Sequence, residues 1–294
     1  MRETQSAGRP SSPLPFREKI ERPILIVSSP RSGSTLLFET LAQAPGLYSP
    51  GGESHGLIEG VPALSVPAHN FASNRLTADD AAAESAEQLA RAFHQSLRDR
   101  DGMAARGKVR MLEKTPKNAL RVPFFDRMWP DATFVFLYRD PRQTMASMTE
   151  AWVSGRFRTY PNLPGWNGYP WSLLLVPGWQ ELKGLPLQQI VARQWKITIE
   201  TLIDDLSKIP RDRLRAVVYG DFLASPQPAI EALAASLDLK WDRQLGAQLP
   251  LSKTTLSRPA PDKWRAIEVV MEEIWPVVEQ ADARARAFVD SLKA

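Results

Sequence analysis

Apolar residues along this chain fall into short unbroken runs separated by stretches with helical spacing. Pro23-Ile24-Leu25-Ile26-Val27-Ser28-Ser29 is too short for a helix and is stopped by Pro30 and Gly33, so it reads as a buried parallel strand. Leu36, Leu37, Thr40 and Leu41 then recur at helical spacing, predicting a helix from Ser34 to near Ala44-Pro45-Gly46. Residues 79–99 should be helical, Val109 to Leu112 a short strand, and 117–128 a helix. Ala132 to Tyr138 is the clearest second buried strand, with a helix from Arg142 to Trp152 after it. Further on come a long helix over 187–208, a strand from Leu214 to Tyr219 and a helix from Pro228 to Leu237. The amphipathic segment 262–292 carries Pro276, which should kink or restart it. Strands alternating with helices predict an α/β fold, a central parallel sheet with helices on both faces.

Two regions fall outside this alternation. Residues 1–20, rich in Ser, Pro and charge, read as a flexible tail, leaving 21–294 as a single domain. Residues 152–186 hold Trp152, Phe157, Tyr160, Trp166, Tyr169, Trp171 and Trp179 among Pro161, Pro164, Pro170 and Pro177. A connection of that length is either a lid facing a substrate or a hydrophobic cluster under a long loop.

Composition narrows the classes. The 294 residues are 43% hydrophobic and 24% charged, enough to bury a substantial core. Lys and Arg exceed Asp and Glu by 37 to 33, a mild surplus that suits a small anionic ligand better than a nucleic-acid track. There are no cysteines, so disulfide and thiolate chemistry are excluded. His55, His69 and His94 are too scattered to suggest a metal site. With no signal-peptide core and no run of roughly 18 apolar residues, a cytoplasmic protein without a membrane span is expected.

The candidate chemistry starts where the first strand ends. Pro30-Arg31-Ser32-Gly33-Ser34-Thr35 joins a strand to a helix through a tight turn, so unsatisfied backbone N–H groups and the helix dipole favour an anion there. Neither G-x-x-x-x-G-K-[ST] nor G-x-G-x-x-G is present, which disfavours an ordinary ATPase or a dinucleotide enzyme. Arg139 leaves the carboxyl end of a strand, where open α/β sheets bind ligands, and its guanidinium suits a phosphate that Ser147 can also reach.

Three blocks together carry a family resemblance. Ser29 to Leu37 resembles the 5′-phosphosulfate loop of PAPS-dependent sulfotransferases, closest to their bacterial and tyrosylprotein branches. Leu137-Tyr138-Arg139-Asp140-Pro141-Arg142 with Ser147 resembles their 3′-phosphate block. Val218-Tyr219-Gly220-Asp221-Phe222 resembles the segment whose Tyr lies beside adenine, with Gly220 where Glu is usual. The resemblance implies a P-loop-like three-layer fold and 3′-phosphoadenosine-5′-phosphosulfate (PAPS) as co-substrate, with no obligatory metal. Its donor site would comprise Arg31, Ser32, Gly33, Ser34, Thr35, Leu36, Arg139, Ser147 and Tyr219, joined by Lys253, Arg258 or Lys263 from a basic C-terminal loop.

Sulfuryl transfer is an in-line displacement with a loose transition state, so positioning and charge stabilisation dominate. Arg31 and Lys114, the latter in Leu112-Glu113-Lys114-Thr115-Pro116, resemble the family's catalytic cations. Glu53, in Pro50-Gly51-Gly52-Glu53-Ser54-His55, is the favoured base, with His55 the rival. The acceptor's identity is open: a small or lipid-like compound bearing a hydroxyl, less readily an amine, is expected, and no nucleic-acid partner. A small-molecule kinase using Mg-ATP and an inactive nucleotide-binding module are the alternatives.

Overall fold

The computed structural model describes residues 14–246, 248–252, 255–256 and 262–293. Five parallel strands form the central sheet: β1 (Ile24–Val27), β2 (Leu47–Tyr48), β3 (Arg110–Lys114), β4 (Thr133–Tyr138) and, later in the chain, β7 (Leu214–Val218). Their order is β2-β3-β1-β4-β7. Ile24 pairs with Leu112 of β3 on one side and Thr133 of β4 on the other. The chain therefore leaves β1 toward one edge and later returns to its other side. Such a reversal opens a crevice at the carboxyl ends of the strands.

Period-two alternation sends neighbouring side chains to opposite faces, and both faces are covered. Leu25, Val27, Phe134, Phe136 and Met111 enter the larger core with α3 (Ala83–Ser96), α4 (Val122–Met128), α5 (Pro141–Ser154), α6 (Leu187–Leu206) and α9 (Glu268–Lys293). Ile24, Ile26, Leu112, Val135 and Leu137 enter the other with α1 (Ser34–Leu41), α7 (Tyr219–Ala224) and α8 (Pro226–Ser236). The expected three-layer α/β architecture is what the chain forms. Among the described residues, no helix is long and apolar enough to cross a membrane.

Three expectations need correction. The tail expected over 1–20 lies outside the described residues up to 13, and its end is folded, because Phe16–Lys19 forms a 3-10 turn and Ile20 is buried beside Val109. Phe16 holds this stretch down, its N–H donating to Glu87 at 2.8 Å and its ring meeting His94 edge-on at 5.5 Å. The helix expected over 117–128 is two pieces, a 3-10 turn Pro116–Leu120 and then α4. Pro123 cannot donate to the carbonyl of residue 119, so the ladder breaks there. Conversely, α9 runs through Pro276 without interruption. Proline inside a helix costs about 3 kcal/mol. Met271, Ile274 and Val278 on either side are buried, each contributing about 1.5–3 kcal/mol, so packing wins.

Residues 152–186 are folded. β5 (Arg158–Tyr160) and β6 (Trp171–Ser172) pair antiparallel, and a 3-10 turn follows at Trp179–Leu182. Trp171, fully buried, meets Trp152, Trp166 and Trp179 edge-on at 5.4, 4.9 and 5.9 Å. The segment is thus a tryptophan-cored hairpin, and its outer wall faces the cavity described next.

Candidate active site

The candidate residues stand on or just beyond strand carboxyl ends: the Ser28–Thr35 loop after β1, Glu53 after β2, Lys114 closing β3, Arg139 after β4 and Tyr219 after β7. The loop makes its turn with two positive φ values, 66° at Arg31 and 91° at Gly33. Gly33 is required twice over. It caps α1 in the left-handed region, and a Cβ there would lie 2.1 Å from Cε2 of Tyr219. The Tyr219 ring therefore packs directly on the loop.

The loop lacks a lysine of its own, and the neighbouring strand supplies one. Lys114 Nζ donates to Thr35 Oγ1 at 3.0 Å and to Glu53 Oε1 at 2.6 Å, with its side chain only 2% exposed. His55, which opens α2 (His55–Glu59), places Nε2 2.8 Å from Glu53 Oε2. Burial pushes the Glu53 carboxyl up, but the His55 hydrogen bond and the Lys114 charge outweigh it and hold the group at about 2. Glu53 is thus an ionised acceptor between two donors at neutral pH. His55 Nδ1 is closed off from solvent and has no partner among the described residues.

A second group of cations lies across the loop. Arg31 Nε donates to Ser147 Oγ at 3.3 Å, and its guanidinium lies over the Phe157 ring at 4.6 Å. Arg139 Nη1 donates to the Arg31 carbonyl at 2.9 Å and Nε to Gln143 at 3.3 Å, while the guanidinium lies 4.8 Å over Tyr219. Burial, and then the charge of Arg139, pull Arg31 below the usual guanidinium range; burial does the same to Arg139. Two half-buried guanidiniums sharing one loop make a site that an anion would relieve.

One cavity of about 740 Å³ unites these groups. Arg31, Gly33, Ser34, Thr35, Leu36, Arg139, Ser147 and Tyr219 line it together with Glu53 and His55. Two candidates do not reach its surface. Ser32 turns its hydroxyl to Ser29 Oγ at 2.7 Å, because that pair closes the back of the loop. Lys114 stands behind Thr35 and Glu53. Lys253 and Arg258 lie outside the described residues, whereas Lys263 lines the cavity and is ion-paired with Glu150.

A family model described as the sulfotransferase family matches residues 23–243. The chain belongs to the sulfotransferase family. No curated protein matches the sequence. Among solved structures, it is similar to a sulfotransferase from Alicyclobacillus acidocaldarius at 16% identity, covering 94% of this chain and 100% of that one, with a TM-score of 0.52. It is also similar to the sulfotransferase domain of the Synechococcus PCC 7002 olefin synthase at 18% identity, covering 94% and 98%, with a TM-score of 0.49. A mouse sulfotransferase crystallised with PAP matches at 14% identity, covering 78% and 62%, with a TM-score of 0.37.

This sulfotransferase also lines its cavity with groups that the motifs did not flag, chiefly Gln143 and Lys117. Gln143 sits one helical turn beyond Arg139, so the helix following that arginine was its only signal. Lys117 lies one residue past the Lys114 block, and its burial depends on Glu59 and Tyr160, far away in sequence.

Proposed function

We propose that this sulfotransferase moves the sulfuryl group of PAPS to the hydroxyl of a small acceptor by in-line displacement. The observation that carries this is the single cavity, in which an anion-binding helix start, two guanidiniums and an aromatic ring adjoin a lysine–glutamate–histidine cluster. The 30–35 loop would hold the 5′-phosphosulfate, Arg139 and Ser147 the 3′-phosphate, and Tyr219 the adenine. Lys253 or Lys263 would add charge over the 3′-phosphate. Glu53 accepts the acceptor's proton as its oxygen bonds to sulfur, and the sulfur–oxygen bond to the departing phosphate breaks. Arg31 and Lys114 stabilise the charge on the transferred group and on the leaving oxygen.

The depressed pKa of Glu53 bears on this step. A carboxylate held at about 2 is ionised but a weak base. When Lys114 turns from Glu53 to the donor's anion, Glu53 loses an opposing charge and gains basicity as the site fills. His55 is the less suitable base, since one ring nitrogen is engaged by Glu53 and the other is enclosed. It orients Glu53 instead.

Two measurements test the reading. PAP should raise the Tm and Mg-ATP should not, because the loop has Ser34 where an ATP-binding loop carries lysine. A shift with Mg-ATP alone would favour a kinase. Glu53→Gln should lower kcat about 10²-fold or more while leaving PAP binding largely intact. Near-wild-type turnover in that variant, with loss in His55→Ala, reverses the base assignment.

A further inference from the structure

The proposed reaction leaves part of the cavity's charge without a task. Among the described residues, Arg31, Lys117, Arg139, Arg156, Arg158 and Lys263 line it, against Glu53 as the one carboxylate. Arg31 and Arg139 belong to the donor end, and Lys263 is paired with Glu150. Arg158 folds back over the end of α5, with Nη2 2.8 Å from where a Cβ on Gly155 would sit. Lys117 and Arg156 remain.

Lys117 is held at the wall with its side chain 5% exposed. Its ammonium donates to Glu59 Oε1 at 2.7 Å and to the Tyr160 hydroxyl at 2.9 Å, which uses two of its three N–H donors. Glu59 does not neutralise it alone, because the same Oε1 also accepts from the fully buried Arg121 at 3.0 Å. Glu113, fully buried, accepts instead from Asn118 Nδ2 at 2.6 Å. Glu59 thus serves two cations at once, and Lys117 meets the cavity wall with only a shared carboxylate as its counter-charge. This wall adjoins Glu53, since Lys117 stands three residues beyond Lys114, whose ammonium holds Glu53, and both Lys117 and Glu53 line the cavity. Arg156 is exposed and, among the described residues, has no carboxylate within ion-pair distance. Around these cations Pro116, Phe157, Leu173 and Leu174 supply apolar surface.

An apolar wall with a cation short of negative charge suits an amphiphile. Resting on the sulfuryl-transfer reading above, we propose that the acceptor is a small amphiphile with a hydroxyl on an apolar body and an oxyanion, most simply a carboxylate, held by Lys117 and Arg156. Lys117 supplies its third N–H donor, and Arg156 closes on the same anion from the hairpin. A neutral alcohol of the same shape would leave the third N–H donor of Lys117 and the Arg156 guanidinium without an anion to meet.

Matched acceptor pairs test this with PAPS as donor: a hydroxyphenyl propionate against the corresponding propylphenol, and an omega-hydroxy fatty acid against the alkanol of equal length. Wild-type enzyme should favour the carboxylate member of at least one pair about tenfold or more in kcat/KM. Lys117→Met and the surface change Arg156→Gln should each reduce that ratio at least about threefold. Equal or better use of the neutral members, no sulfation of any member, or a ratio unmoved in both variants overturns the inference. The PAP-induced rise in Tm is read on the same samples. Its loss in wild type refutes the donor reading instead, and its retention without a preference for the acid refutes the acceptor class alone.

Discussion

Gly33→Ala tests the packing of the loop on Tyr219. At φ 91° an alanine sits in the left-handed region, which costs about 1–2 kcal/mol. Its Cβ would also lie 2.1 Å from Tyr219 Cε2, and 2.6 and 2.7 Å from two further ring atoms, where ordinary contact begins at 3.4 Å. The ring must withdraw by more than about 1 Å, yet Tyr219 is 4% exposed and lies under Arg139, so it has little room to do so. Overpacking of this kind costs about 1–3 kcal/mol. Together the two effects destabilise by about 2–5 kcal/mol, a fall in Tm on the order of 5–15 °C. Because the displaced ring and Arg139 are both assigned to the donor, PAP affinity should fall about tenfold or more. Calorimetric titration of PAP and thermal melts of the same preparation measure both. The double change Gly33→Ala/Tyr219→Phe keeps the ring and should rescue nothing, whereas Gly33→Ala/Tyr219→Leu should recover the overpacking part. A Gly33→Ala protein that melts within 1 °C of wild type, by about the smallest shift resolvable, and binds PAP normally would refute the argument.

Two further predictions follow from the site and its wall. The Glu53 carboxyl lies at about 2 in the folded protein against 4.5 ordinarily, so its stabilisation is complete above pH 4.5 and is lost as pH falls toward 2. Glu53→Gln should therefore be less stable than wild type by roughly 2–3 kcal/mol near neutral pH, after allowance for a side chain 30% exposed, and urea melts should show that gap closing between pH 4.5 and 2; a gap that is constant with pH contradicts the assigned ion pair. Trp171→Ala empties the centre of the tryptophan cluster and should cost about 3–5 kcal/mol. Since Leu173 and Leu174 of the same hairpin line the cavity, the acceptor KM should rise while PAP affinity holds, which steady-state kinetics and PAP titration separate.

The sequence by itself determined the elements and most of the donor-site candidates, because those signals are local. Ile24 to Val27 is an apolar run stopped by turn residues, and a helix must begin after Gly33 whatever surrounds it. Arg139 follows an apolar strand, so its place at a carboxyl end was legible too. Local pattern misjudged Pro276, where propensity yields to the buried face of α9, and Phe16 to Ile20, where one aromatic anchor decides. What only the tertiary structure decided is which charges meet. Lys114 reaches Glu53 across 61 residues and Thr35 across 79, and it does so because β3 lies between β2 and β1 in the sheet. No periodicity encodes that strand order. The same holds for Lys117, whose partners come from α2 and the hairpin. The loop at Pro30 to Thr35 was legible as a candidate anion site; its join to a basic cluster and an apolar wall became visible only once the sheet had brought their strands together.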